Sequence, residues 1–234
     1  MADLPYTVLS CCMSLDGFLD DGSEHRLLLS NEADFDRVDA LRAGSDAILV
    51  GAATVRHDDP RLLVRDRARV ARRRASGRPG QPLKVTVTAR AKLDVESRFF
   101  TTGNGRKLVY CASDTVAMAR EQLGAVARVV DGGAPVQLRW VSEDLHRRGV
   151  RRLMVEGGGS VHTQLLTAGL ADELQLVVAP FFVGNSDATR FVGPGRFGCS
   201  PARRAELVES RPLGDVVLLR YALSARFDPT GWER

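Results

Sequence analysis

Three clusters in this sequence carry residue types suited to chemistry. The sharpest is Leu153-Met154-Val155-Glu156-Gly157-Gly158-Gly159-Ser160: an apolar run, an acid, then three glycines opening a helical pattern. Glycines carry no Cβ, so consecutive backbone N–H groups can turn toward a guest. At a helix N-terminus such donors attract anions, and a phosphate or pyrophosphate fits. A tight strand-to-helix turn without a ligand is the plainer alternative. The G-x-G-x-x-G spacing of a standard dinucleotide fold is missing. Glu156 stands at the C-terminal end of its strand, where ligand crevices of open α/β sheets lie. Its carboxylate suits a cationic or N–H-rich group, or simply caps the turn.

The second cluster runs from Ile48 to Leu62. A buried-looking strand ends in small residues, then Thr54, then Asp58-Asp59-Pro60. Thr54 offers a hydroxyl to a phosphate, and Asp58 and Asp59 offer carboxylates to a polar ligand. Asp-Asp-Pro is equally a turn initiator. The third cluster, Met13-Ser14-Leu15-Asp16-Gly17, reads first as a β-turn. His25, His57, His146 and His162 show no metal-ligand spacing, and no Ser-His-Asp or Cys-His arrangement can be built, so no metal is expected.

The whole-chain numbers set the frame for these clusters. With 234 residues, 44% hydrophobic and 26% charged, the chain has the composition of a soluble globular protein. No apolar run is long enough for a membrane span. Met1-Ala2-Asp3-Leu4-Pro5 lacks the basic start and apolar stretch of a secretory signal. Cys11, Cys12, Cys111 and Cys199 form no disulfide framework or zinc motif, so a reduced, cytoplasmic protein is expected. The net charge of +4 is local in origin. Arg61–Arg78 holds eight arginines and one aspartate, and the rest of the chain is net −3. Arg72-Arg73-Arg74 invites a nucleic-acid reading, but aromatic interleaving is absent and the remainder is acidic. A solvated face is expected there, with no nucleic-acid partner.

The elements that must position the clusters alternate between β-rich and helical patterns, the signature of an α/β fold. Strands are expected at Tyr6–Cys12, Ala47–Val50, Leu83–Thr88, Lys107–Cys111, Ala127–Val130, Arg152–Val155 and Glu173–Val183. Helices are expected at Asn31–Arg42, capped by Asn31 with Glu32 and Asp34 in the first turn, at Asp114–Leu123, capped by Ser113 or Asp114, and at Val136–Arg148 and Ser160–Ala168. Asp58–Pro82 reads as a long excursion with a short helix at Val64–Ala75. Ala205–Glu209 and Val216–Tyr221 flank Pro212-Leu213-Gly214-Asp215 as an antiparallel hairpin. The expectation is a single domain over residues 1–234 with a basic excursion at about residues 61–82 and a mixed, mostly parallel sheet closed by that hairpin.

Taken in register, the clusters resemble a known family. Ser14–Gly17, Asp46–Val55 running into Asp58–Arg65, Glu156–Gly159, and Ala171-Asp172-Glu173-Leu174 with Val178-Ala179-Pro180 and Val183-Gly184 are similar to the reductase domain of bacterial bifunctional riboflavin biosynthesis enzymes. The match runs from about Tyr6 to Tyr221. It implies a dihydrofolate-reductase-like three-layer α/β/α fold, NADPH as cofactor, a homodimer, and reduction of the ribosyl group of a ribosylaminopyrimidinone 5′-phosphate to ribityl. It places Thr54 and Gly157–Val161 (Gly157, Gly158, Gly159, Ser160, Val161) against the cofactor, with Cys12 and Met13 beside the nicotinamide. Arg42 and Arg65 fall on the substrate phosphate, Asp59 and Leu62 in the substrate pocket, and Glu156 at the substrate's polar end. The deaminase half of the bifunctional enzymes is not expected in this chain.

Two departures stand out. Ser10 occupies the place of a family lysine, with Arg26 a candidate replacement cation. Arg26-Leu27-Leu28-Leu29-Ser30 stands where the family often has Ser-x-Trp-Ile-Thr. They keep open a reductase of another pteridine, pyrimidine or carbonyl compound on the same scaffold. A non-catalytic nucleotide-binding module is the reading from a different class. For the reductase, positioning is most of the catalysis. The candidate proton donors are Asp58, Glu156 or a bound water, and a carboxylate in that role needs its pKa raised by burial.

Overall fold

The computed structural model describes residues 3–23 and 25–229. Met1 and Ala2 of the N-terminal stretch considered above lie outside the described residues. In chain order the elements are β1 (Tyr6–Ser14), α1 (Glu32–Gly44), β2 (Ala47–Gly51), α2 (Ala52–Asp58), α3 (Arg67–Ala75), β3 (Leu83–Thr88), α4 (Arg98–Thr101), β4 (Lys107–Cys111), α5 (Val116–Leu123), β5 (Arg128–Asp131), α6 (Leu138–Arg147), β6 (Arg152–Val155), α7 (Gly159–Thr167), β7 (Glu173–Ala179), β8 (Glu206–Leu213) and β9 (Val216–Ala222). They group into two compact units, one built on Asp39–Met154 and the other on Tyr6–Val38 with the chain from Val155 onward.

The first unit carries the strand order β5-β4-β3-β2-β6, with β2 to β5 pairing in parallel. Every residue of β2 is buried, as its unbroken apolar run predicts for a strand covered on both faces. On α6, Leu138, Val141 and Leu145 form the buried stripe that their spacing predicts. The second unit pairs β1 with β7 in parallel, then β7, β9 and β8 antiparallel. Gly214, at φ +65, and Asp215 make the two-residue turn between β8 and β9. The mostly parallel sheet with its C-terminal antiparallel hairpin is the arrangement expected from the sequence.

Several boundaries differ for local reasons. Strand β7 stops at Ala179 rather than Val183, because Pro180 follows and lacks an N–H. Strand β8 runs on to Leu213 through Pro212, which an edge strand tolerates. Helix α3 begins at Arg67 rather than Val64, because Asp66 caps it by accepting the Arg69 N–H at 2.6 Å. A 3₁₀ turn precedes α5, and the Ser113 hydroxyl bonds the Asp131 carboxylate at 2.7 Å instead of capping the helix. Helix α2 was not anticipated. Asn31 does cap α1, accepting the Asp34 N–H at 3.1 Å, and its amide donates to the Leu213 carbonyl at 2.6 Å.

The arginine segment is not simply a solvated face. Arg73 is buried, and its guanidinium donates to the carbonyls of Ala43 at 2.8 Å, Ser45 at 2.6 Å and Pro79 at 2.9 Å. Arg78 reaches the Gly44 carbonyl at 3.3 Å. Two arginines thus occupy the carbonyls at the C-terminal end of α1, where cations are favoured. Arg67, Arg72 and Arg74 are exposed.

Candidate active site

In the second unit, the glycine run opens α7. Gly157 has φ +119, a region that side chains disfavour. Gly158 is the N-cap with φ −81 and ψ −171, an extended conformation open to any residue, and no side chain caps the helix. Gly159 is glycine for want of space: a Cβ there would lie 2.2 Å from the Arg190 carbonyl oxygen. A cavity of about 370 Å³ borders this turn, lined by Gly159, Ser160, Thr163, Gln164, Thr189 and Arg190, with Gly193. Bare backbone at an uncapped helix start, beside an arginine-bearing cavity, fits the phosphates of a nucleotide cofactor. Val161 is buried and its N–H returns to the Gly158 carbonyl at 2.9 Å, so the donors on offer are those before it. Glu156 is half-buried at the end of β6.

At the end of β1, Cys12 and Met13 are half-buried. The Cys12 thiol donates to the Leu29 carbonyl at 3.1 Å. Burial, with the Asp34 carboxylate adding and Arg37 opposing, pushes its pKa up to about 12, so it stays a neutral thiol rather than a nucleophile. The Ser14–Gly17 motif forms a turn, the Gly17 N–H bonding the Ser14 carbonyl at 3.0 Å. Asp16 ties that turn to the loop after β7. It takes the Ser14 hydroxyl at 2.5 Å and the N–H groups of Val183 at 3.1 Å and Gly184 at 2.8 Å, and these bonds hold its pKa down at about 2. Arg26 is exposed, and beside Ser10 stands Arg37. Its guanidinium lies 3.5 Å from the Ser10 hydroxyl, 2.6 Å from the Gln175 amide oxygen and 2.6 Å from Asp34. Arg37 was missed because its place in the helical pattern of α1 marks no target.

In the first unit, Thr54 sits half-buried on α2, and Asp58 ends that helix with its carboxylate 2.9 Å from the His57 ring. Asp59 is in the left-handed region at φ +41, and its carboxylate takes the Arg98 N–H at 2.5 Å and the Arg98 guanidinium at 2.9 Å. Leu62, at φ +47, is 1% exposed, so its side chain is core in this structure. The following residues are held by side chains from elsewhere in the unit. Arg42 donates to the Leu63 carbonyl at 3.1 Å. Gln81 takes the Val64 N–H at 2.8 Å and donates to the Val64 carbonyl at 3.0 Å. Asp39 takes the N–H groups of Arg65 at 2.5 Å and Asp66 at 3.2 Å. The structure therefore brings Arg42 and Arg65 to one loop, with the Arg65 side chain 59% exposed. Asp39 and Gln81 were not anticipated. Their bonds span 26 and 17 positions, and no local pattern announces such partners.

The mostly parallel sheet with its terminal antiparallel hairpin is a dihydrofolate-reductase-like fold, and the similarities that follow place the chain among the reductases built on it. Solved structures agree on the fold: a pyrimidine reductase-like protein from Corynebacterium diphtheriae superposes with a TM-score of 0.78 at 23% identity, covering 93% of this chain and 91% of that one. Residues 5–219 match the RibD C-terminal domain family, and the chain belongs to it. Two similar relatives are named 2,5-diamino-6-ribosylamino-4(3H)-pyrimidinone 5′-phosphate reductase. The one from Archaeoglobus fulgidus is 39% identical, over 96% of this chain and 99% of its own. The one from Methanothermobacter thermautotrophicus is 34% identical, over 94% and 98%. The family implies a nicotinamide cofactor. Among the described residues, no helix is long and apolar enough to cross a membrane.

Proposed function

We propose that this chain reduces the ribosyl group of 2,5-diamino-6-ribosylamino-4(3H)-pyrimidinone 5′-phosphate to a ribityl chain, with NADPH as cofactor. The observation that carries the reading is the 39% identity to a reductase of that name across 99% of the relative's length. The geometry supports it with two anion-suited features of different kinds. The Gly157–Gly159 turn, with Ser160, holds the cofactor's pyrophosphate through backbone donors. Arg42 and Arg65 hold the substrate's 5′-phosphate through guanidinium groups, whose planar fork matches phosphate oxygens.

The bound nicotinamide supplies the hydride. The protein's part is to bind, orient and move a proton. Thr54, Cys12 and Met13 line the cofactor, the last two through their backbone. Asp59 and Leu62 shape the substrate loop: Asp59 fixes Arg98, and Leu62 packs beneath. Asp58 and Glu156 are the proton-handling carboxylates. Residues 1–234 act as one reductase domain, working as a cytoplasmic homodimer. Exposed Phe182 and Leu207 in the second unit supply apolar surface for self-association. Within the arginine segment, Arg69, Arg73 and Arg78 are turned to partners within the first unit, which supports a structural role for them.

The test is steady-state turnover followed through cofactor oxidation, with the phosphate ester and its dephosphorylated form, and with NADPH and NADH. Turnover of the ester with NADPH preferred is expected. Arg65→Ala is expected to raise the substrate KM by roughly 1.5–3 kcal/mol in transition-state terms and leave the NADPH KM unchanged. Equal turnover of the dephosphorylated compound, indifferent to Arg65→Ala, overturns the phosphate assignment.

A further inference from the structure

We infer that Asp39, with Gln81, is a positioning residue for substrate phosphate recognition: it builds the loop that presents Arg65 and takes no part in cofactor binding. This rests on the reading that Arg65 meets the 5′-phosphate. The loop from Leu62 to Asp66 has neither helix nor strand to satisfy its backbone, and unpaired backbone groups are costly where water is excluded. Three side chains replace the missing ladder. Arg42 donates to the Leu63 carbonyl at 3.1 Å. Gln81 pairs with both the N–H and the carbonyl of Val64, at 2.8 and 3.0 Å, as a neighbouring strand would. Asp39 receives the consecutive N–H groups of Arg65 and Asp66, at 2.5 and 3.2 Å.

Asp39 does more than hold the backbone. Its carboxylate is only 3% exposed, yet two arginines face it: Arg69 at 3.1 Å and the Arg65 Nε at 3.6 Å. The Arg65 side chain is 59% exposed. One buried anion therefore fixes where the Arg65 backbone sits and restrains the angle of its side chain. It also balances charge that would otherwise repel between Arg65 and Arg69. Asp59 and Leu62, in the left-handed region at φ +41 and +47, bracket the start of the loop. Such conformations persist where surrounding contacts over-determine them. A phosphate ligand gains most from an arginine already held in place, because less side-chain entropy is lost on binding.

The experiment compares Asp39→Asn, Gln81→Leu, Arg65→Ala and the Asp39→Asn/Arg65→Ala double variant in the intact protein. Asp39→Asn keeps the shape but leaves one oxygen for two N–H groups. The expected result is a KM for the phosphate substrate raised about tenfold, about 1.4 kcal/mol, with kcat and the cofactor KM within about twofold. Gln81→Leu is expected to act in the same direction and carries the test should Asp39→Asn fold poorly. In the Arg65→Ala background, Asp39→Asn is expected to add nothing to KM, since a residue acting through Arg65 has nothing left to position. Substitution of a residue that merely stabilises the unit would lower kcat and raise the substrate and cofactor KM together, or add its effect in the double variant, and either result overturns the inference. A raised KM in Arg65→Ala with both Asp39→Asn and Gln81→Leu unchanged overturns it alone. An unchanged KM in Arg65→Ala overturns the phosphate reading, and this inference with it.

Discussion

The loop at Leu62–Asp66 and the turn at Gly157–Gly159 are suited to the same chemical class of ligand and are made in opposite ways. The turn works by subtraction: Cβ atoms are removed, so that Gly157 can take φ +119 and Gly159 can lie against the Arg190 carbonyl. The loop works by addition, five of its backbone groups answered by Arg42, Gln81 or Asp39. A subtractive site fails when atoms are put in, and it is indifferent to charge. An additive site fails when a partner is taken out, and its failure is graded.

The largest effect separating the two is expected from Gly159→Ala. The added Cβ meets backbone rather than a flexible side chain, so α7 must shift, at a cost of about 3 kcal/mol. Thermal unfolding reads the loss, and a Tm within one degree of the parent would show that the close approach is not needed. Gly158→Val is its control. The φ and ψ of Gly158 are extended, and Gly158→Val should lower cofactor affinity about tenfold, about 1.4 kcal/mol, by direct titration of a variant whose Tm matches the parent's.

On the additive side, Arg73→Met removes the guanidinium from three carbonyls at once and should cost about 3 kcal/mol by denaturant titration. Replacing the exposed Arg72 and Arg74 with serine should stay within about 0.5 kcal/mol. If all three arginines behave alike, the division between an inward and an outward arginine is wrong.

A pH scan sharpens the same contrast in the second unit. His162 follows the glycine turn on α7, is 0% exposed, and packs against Phe191 at 5.4 Å. Neither ring nitrogen has a hydrogen-bond partner among the described residues. Burial lowers its pKa from 6.5 to about 4. Between those values the unfolded chain binds the proton and the folded protein does not. Stability is therefore full above pH 6.5 and falls as the pH drops toward 4, by roughly 3 kcal/mol in all. His162→Leu should flatten that part of the stability profile, and an unchanged slope would move its origin to another group.

The two sites also differ in how far the sequence discloses them. The glycine turn is local: strand, acid, three glycines and helix are adjacent in the chain, and φ, close approach and helix start all follow from the order of residues. Strands β3, β4 and β6 are read to the residue for the same reason, since apolar runs bounded by turn residues are local signals. The loop is not local. Its arginines are recognisable through family spacing, but its architecture depends on Asp39 and Gln81, which carry no signal in their own surroundings. Arg73 teaches the same lesson in reverse. Three consecutive arginines look equivalent in the sequence, and only the helix phase of α3 against the carbonyls ending α1 makes the middle one structural. Strand β7 ended early because a proline outranked an apolar run.

Lysine 84 gives the molecule a built-in reporter. The chain has only three lysines, Lys84, Lys92 and Lys107. Lys84 is closed to solvent, its amine donating to the carbonyls of Phe99 at 3.0 Å and Thr102 at 2.7 Å, and burial lowers its pKa to about 8. Lys92 is exposed and Lys107 half-buried. An amine-directed acylating reagent applied to the folded protein should mark Lys92 at once and reach Lys84 only when the turn at Arg98–Thr101 lifts away. The rate of that late labelling, read by mass spectrometry of a single peptide, would clock the opening of one short helix without any introduced probe.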